Sequence, residues 1–276
     1  MQKLMNANLF HLRKNKLFLI TIASMLAFNL VNVLNGVRQI KQAMGEFGYT
    51  LDHYFFGFLP LAGLFIGSFT CLFQGTEYSD GTLRNKLMVG HTRTRTYLAA
   101  FLTNSIAAVA IMVVAFLINL VGVPTLGWLK MSVFELITYC IASFLMAIAW
   151  AALFTALCML ISNKAYSVAI CLLAWLAITF IGSYLYNALC EPEMQAGAIV
   201  TANGIQMSEP ILNPEYIGGF KRQVYEYLAD FFPSSQGIAM SDLSAAHPIR
   251  MMLNSILLMV IITISGLTAF RRKDIK

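Results

Sequence analysis

The sequence predicts an all-α membrane protein with six transmembrane helices, on three observations. Hydrophobic residues make up 58% of the 276 and charged residues only 12%, where a soluble domain carries roughly 25% charged. Six apolar runs, 17–37, 54–74, 98–121, 133–161, 165–186 and 250–270, each reach the roughly 20 residues that carry a helix across a hydrocarbon core. The basic residues also sort by side. With the N-terminus inside, the inner segments hold Lys3, Arg13, Lys14, Lys16, Arg84, Lys86, Arg93, Arg95, Lys164, Arg271, Arg272, Lys273 and Lys276, against only Glu77, Asp80 and Asp274. Such a bias in short loops places both termini and the loop after the second span in the cytoplasm. A soluble globular enzyme is excluded, and the net charge of +6 reports topology rather than a nucleic-acid surface.

Residues 1–16 place Met1, Leu4, Met5, Leu9 and Leu12 on one helical face with Lys3, Arg13 and Lys14 elsewhere, which predicts an N-terminal interfacial helix; the plainer reading is a basic leader. The first run is too long for a signal peptide and no small-residue cleavage pattern follows, so it reads as a retained anchor. It carries a polar stripe. At 100° per residue, Thr21, Ser24, Asn29, Asn32 and Asn35 fall within an arc of about 140°. Asn29, Asn32 and Asn35 are candidates to line a translocation path, although hydrogen bonding to neighbouring spans is the favoured reading.

Loops 38–53, with Gly45 and Gly48, and 122–132, with Gly122, Pro124 and Gly127, read as turns. Gly63 and Gly67, one turn apart in the second span, suit close helix packing. Only Ser162, Asn163 and Lys164 separate the fourth and fifth spans, which should therefore be antiparallel neighbours. The fourth run, about 43 Å at 1.5 Å per residue, should tilt, kink or project. Segment 187–249 is the largest outer piece, and Ile217, Phe220, Val224, Leu228 and Phe231 recur in it at helical spacing, with Arg222, Glu226 and Asp230 on another face. This predicts an amphipathic helix over about 215–232, as a small outer helical segment between spans five and six. Four of the five cysteines lie within spans without CxxC spacing, so neither a disulfide nor a metal site is expected.

The inner loop 75–97 reads GTEYSDGTLRNKLMVGHTRTRTY. Ser79 or Asp80 can cap a short helix over about 81–88, Gly90 can end it, and Thr92 or Thr94 can cap the third span. The helix would expose Leu83, Leu87 and Met88 amid Arg84, Asn85 and Lys86, a compact surface fit for the groove of a soluble partner. An interfacial helix held by its arginines is the equal alternative.

An acid, then Gly-Thr, a short Leu-rich helix, a turn and an Arg opening the next span resembles the type-2 family of ATP-binding cassette (ABC) transporter permeases. The pattern matches at Glu77, Gly81, Thr82, Leu83, Leu87 and Arg93, and again in the ending Ala269-Phe270-Arg271-Arg272-Lys273-Asp274-Ile275. The order of parts is similar over the whole chain, read as a single permease domain: interfacial helix, six spans, inner loop after the second, and an extracellular segment before the sixth. Where many members carry Pro after the short helix, this chain has Gly90-His91. The resemblance implies that 75–97 holds a cytoplasmic coupling helix seated on a separate ABC ATPase subunit, with Glu77, Asp80, Gly81, Thr82, Leu83, Arg84, Leu87, Met88 and Arg93 as the coupling residues. It implies further a second permease subunit, identical or similar, and export of an amphiphilic peptide, drug or lipid across a bacterial cytoplasmic membrane.

The residues support that division of labour. No GxxxxGK[ST] phosphate loop occurs, so this chain is expected to bind no cofactor, with ATP and Mg on the partner. No ionisable residue sits mid-span to relay protons; Glu135 lies near an outer helix end. HExxH and GxSxG are also missing, and no catalytic residue is expected. A secondary transporter or channel without an ATPase, and a non-transporting sensor or assembly protein, are the rival readings.

Overall fold

The computed structural model describes residues 1–42, 51–122, 131–201 and 204–274. Gly45, Gly48, Pro124, Gly127 and Ile275 lie outside the described residues. Helix α1 (Gln2–Lys14) precedes α2 (Lys16–Gln42); α3 (Leu51–Phe56) and α4 (Leu59–Ser79) follow, then α5 (Thr82–Met88), α6 (Arg93–Asn119), α7 (Val133–Leu160) and α8 (Lys164–Cys190). After a hairpin of β1 (Met194–Thr201) and β2 (Gly204–Leu212) come α9 (Gly219–Phe231), α10 (Pro233–Ser241) and α11 (Pro248–Arg272). Among the described residues, six helical segments are long and apolar enough to span a bilayer: Lys16–Arg38, Tyr54–Ser79, Arg93–Gly122, Val133–Leu160, Lys164–Cys190 and Pro248–Arg272. This is an all-α membrane fold.

Helix ends are set by local chemistry. Ser132 and Glu135 form a reciprocal capping box on α7, the Glu135 amide donating to Ser132 Oγ and the Ser132 amide to Glu135 Oε2 at 2.9 Å. The Asn163 carboxamide oxygen caps α8, accepting from the amides of Ala165 and Tyr166. Pro60, Pro233 and Pro248 stand in the first turns of α4, α10 and α11, where a missing N–H costs nothing.

Three spans form the centre and three the periphery. Within the apolar window of each span, 61% of residues are buried in α4, 50% in α6 and 61% in α7, against 17% in α2, 17% in α8 and 22% in α11. The glycines of α4 do what their spacing predicts. A Cβ on Gly63 would come within 2.7 Å of the Trp150 ring and one on Gly67 within 2.8 Å of Phe154, and these two rings stack 5.3 Å apart on α7. Asn104 of α6 donates to Thr155 Oγ1 of α7 at 2.8 Å, a buried polar tie between central helices.

Several expectations change. The fourth and fifth spans do touch, Ser167 Oγ donating to Cys158 Sγ, but α8 packs most extensively on α4. A three-residue link fixes antiparallel direction at the turn; the small residues of α4 decide where the rest of α8 lies. The outer segment holds an antiparallel hairpin with a register shift between Gln195 and Gly197, which helical periodicity gives no means to see. The outer helix starts at Gly219 rather than about 215. Asn213 intervenes, its side-chain oxygen accepting from the Glu215 amide and its NH2 group donating to Glu191 and Pro192, so that a side-chain turn displaces the first helical turn. Helix α1 is present with Leu4, Asn8 and Leu12 buried, and it packs on α6.

Candidate functional site

The predicted short helix exists, and the chain around it explains its bounds. Helix α4 ends at Asp80, and Gly81 turns the chain at φ +68 into α5; nothing lies within 4 Å of a Cβ there, so glycine is needed for its backbone conformation, not for space. Gly81 is the N-cap and no side chain caps α5. Ser79 and Asp80, expected as caps, instead pair with each other on the surface. The reason is that they still belong to the last turn of α4. At the other end Gly90, at φ +97, closes a Schellman motif: its amide donates to Leu87 O at 3.0 Å and the His91 amide to Lys86 O at 3.2 Å. Thr92 then caps α6, accepting from the Arg95 amide.

Beneath α5 lies a platform made from the ends of four spans. Leu83, expected on the surface, is 1% exposed in a cluster with Tyr97, Ala100, Met159 and Phe270. Its neighbours on the same turn face outward because seven helical residues offer only one buried stripe. Lys86 Nζ donates to Glu77 Oε1 at 2.6 Å, a largely buried ion pair fastening α5 to α4, while Thr82 Oγ1 donates to Glu77 O at 2.9 Å. Among the described residues Glu77 Oε2 has no hydrogen-bond partner. Arg93 donates to the carbonyls of Phe270, Arg271 and Lys273, capping the C-terminus of α11, where the last carbonyls have passed the end of the i to i+4 ladder. Lys273 Nζ donates to Tyr78 Oη at 2.9 Å and to Met159 O at 3.1 Å, and Tyr78 Oη donates to the same carbonyl at 2.5 Å. Burial holds the Lys273 ammonium down at about 8.

What α5 leaves uncovered is Arg84, Asn85, Met88 and Val89, the last two 65% and 81% exposed. Leu87 is half-buried. Beside them an open hollow is lined by Arg84, Leu87, Met88, His91, Thr92 and Arg93. Of the predicted site residues, Glu77, Thr82, Leu83 and Arg93 hold the platform together, and Arg84 and Met88 face outward.

The three asparagines of α2 do not share one environment. Asn29 is buried, its Nδ2 donating to Met25 O at 2.9 Å, while Asn32 is half-buried and Asn35 exposed.

Sequence reading missed an outer network. Asp230 Oδ2 accepts from Arg250, with His247 Nδ1 at 3.6 Å; burial raises its carboxyl above the ordinary range, opposed by the Arg250 guanidinium. Gln236 Nε2 donates to Asp230 O, and Ser255 Oγ to Gln236 Oε1, so α9, α10 and α11 are tied together. These groups border a cavity of about 240 Å³ that also takes in Tyr186, Arg222 and Glu226. The available signal was the Arg222, Glu226, Asp230 stripe; Arg222 does pair with Glu226, but Asp230 turns to a helix later in the chain.

A search of curated proteins gives no match to the chain. The family model described as "ABC-2 family transporter protein" matches residues 4–183, which take in α1, the first four spans, α5 and most of α8. A six-span helical bundle carrying a short helix between its second and third spans is thereby placed: the chain is a multi-pass membrane protein of the ABC-2 transporter family, a permease subunit of an ABC transporter.

Proposed function

We propose that this permease works as one 1–276 unit with a separate ABC ATPase, which holds ATP and Mg, and exports an amphiphilic peptide, drug or lipid from a bacterial cytoplasm. In this reading α5 is the coupling helix. The observation that carries it is the two-sided build of α5. Its inner side is locked through Leu83 and the Glu77–Lys86 pair to the ends of α4, α6, α7 and α11, and its outer side presents Arg84, Asn85, Met88 and Val89. Force applied to the outer side reaches four spans without a flexible link. The hollow beside Met88 and Arg84 suits an apolar side chain flanked by a carboxylate. The inner end is basic, with Arg93, Arg95, Lys164, Arg271 and Arg272 gathered there, which orients it and both termini to the cytoplasm and leaves 187–249 outside. On that side α1, with its basic last turn, lies at the membrane surface.

The test separates docking from folding. Met88→Asp with Arg84→Glu should lower ATPase stimulation and transport in reconstituted vesicles at least tenfold, with expression and thermal unfolding of the permease unchanged. Unaltered stimulation sinks the coupling assignment, and ion-gradient-driven transport by the purified chain alone establishes the secondary-transporter reading instead.

A further inference from the structure

Cys71, Cys158 and Cys171 come from α4, α7 and α8, and no sequence spacing links them. Their three Sγ atoms nevertheless lie within 4.8 Å of one another, and all three residues are buried. Cys158 and Cys171 sulfurs are 3.6 Å apart, Ser167 Oγ donates to Cys158 Sγ at 3.3 Å, and Cys71 Sγ donates to Gly67 O. Among the described residues no fourth His, Cys, Asp or Glu joins the group. We propose that these three cysteines form a binding site for a soft, thiophilic metal ion of the Cu(I) kind.

The argument is one of geometry and softness. Three metal–sulfur bonds of about 2.3 Å, set at 120° in a plane, separate the sulfurs by about 4 Å. The observed sulfurs, 3.6 Å apart in one pair and all within 4.8 Å, need only small rotamer shifts to reach that triangle. Thiolate ligands select Cu(I) and Zn(II) among the common ions, and zinc prefers a fourth ligand, which this set lacks. Binding forms three S–Cu bonds without change of oxidation state and releases the displaced thiol protons to solvent. The Ser167 hydroxyl stands ready to donate to a sulfur that has become a thiolate. A hollow lined by Ser79, Ser162, Asn163, Lys164, Ala165 and Val168 lies at the basic end, and Cys171 stands one helical turn beyond Val168 on the same helix.

Occupancy would pin α4, α7 and α8 together beside Met159, whose carbonyl receives Tyr78 and Lys273. The full-length protein, purified in detergent under reducing conditions, should retain one Cu(I) per chain against a competing Cu(I) chelator, and X-ray absorption should show three sulfur neighbours. The triple Cys71→Ala, Cys158→Ala, Cys171→Ala variant should lose this retention, while Cys140→Ala with Cys190→Ala should keep it. A wild type that cedes all copper to the chelator, or a triple variant that holds as much as wild type, overturns the proposal. Should the triple variant fail to fold, fewer than three sulfurs around the copper of the wild type overturns it equally.

Discussion

At Glu77 and Lys86 the chain buries a charge pair in a junction rather than on a surface, and the consequences are specific. Breaking one side of such a pair leaves an unpaired charge and costs about 3–5 kcal/mol, whereas replacing both with apolar groups is often neutral. Glu77→Gln should therefore lower the thermal midpoint by several degrees, and Glu77→Gln combined with Lys86→Met should recover most of the loss, as read by unfolding in detergent. Lys273 offers a pH test. Its value in the folded chain, about 8, lies below that of an exposed lysine, so between the two the unfolded chain binds more protons. Stability should rise as pH increases from about 8 towards the ordinary lysine range, and Lys273→Met should lack that rise; a midpoint profile of the variant parallel to wild type would contradict this. Residue identities at these positions were legible in the sequence, but their pairing was not. Glu77 and Lys86 sit nine positions apart across a left-handed glycine, and Arg93 meets carbonyls at 270–273. No periodicity rule reaches either.

Helices are the scale at which the sequence speaks most clearly. Each span, α5 and the outer amphipathic helix exist where hydrophobic runs and glycines suggest, with ends displaced by up to about five residues. Helix α10 escaped that reading because PSSQGIAMS carries too few apolar residues to announce burial. It is buried all the same, since its polar groups find partners: Ser234 Oγ donates to Ile178 O at 2.7 Å and Gln236 bridges Asp230, Met251 and Ser255. Gln236→Ala should remove the bonds donated to Asp230 O and Met251 O and leave the Ser255 hydroxyl without its acceptor, at about 1–3 kcal/mol, and speed hydrogen exchange in α10 and the first turns of α11, with the inner platform unaffected. Packing at Gly63 is equally testable. Gly63→Ala pushes a methyl into the Trp150 ring and should destabilise by about 1–3 kcal/mol, measured as a fall in thermal midpoint.

As a whole, the molecule keeps three spans inside and leaves three largely uncovered. The uncovered face of α2 presents Ser24 and Asn35 beside Leu19, Ile20, Val31 and Leu34. Polar groups in hydrocarbon favour helix contacts over lipid, which fits the second permease subunit that the family resemblance implies. Where the second subunit is identical, Asn35→Cys in a background without the native cysteines should cross-link two copies in native membranes under a short bifunctional thiol reagent; monomers alone would exclude a second copy of this chain at α2.

Composition and order of residues by themselves determined that this chain is a six-span helical membrane protein with a short helix after the second span, because crossing lipid forces hydrogen-bonded helices of fixed length and glycines mark where a chain must turn. Tertiary structure alone decided which face of that helix is free, that Leu83 is an anchor and not a contact, and that three cysteines from separate spans meet. Those outcomes depend on side chains far apart in sequence competing for the same space and the same hydrogen-bond partners, and that competition is settled only when the helices pack.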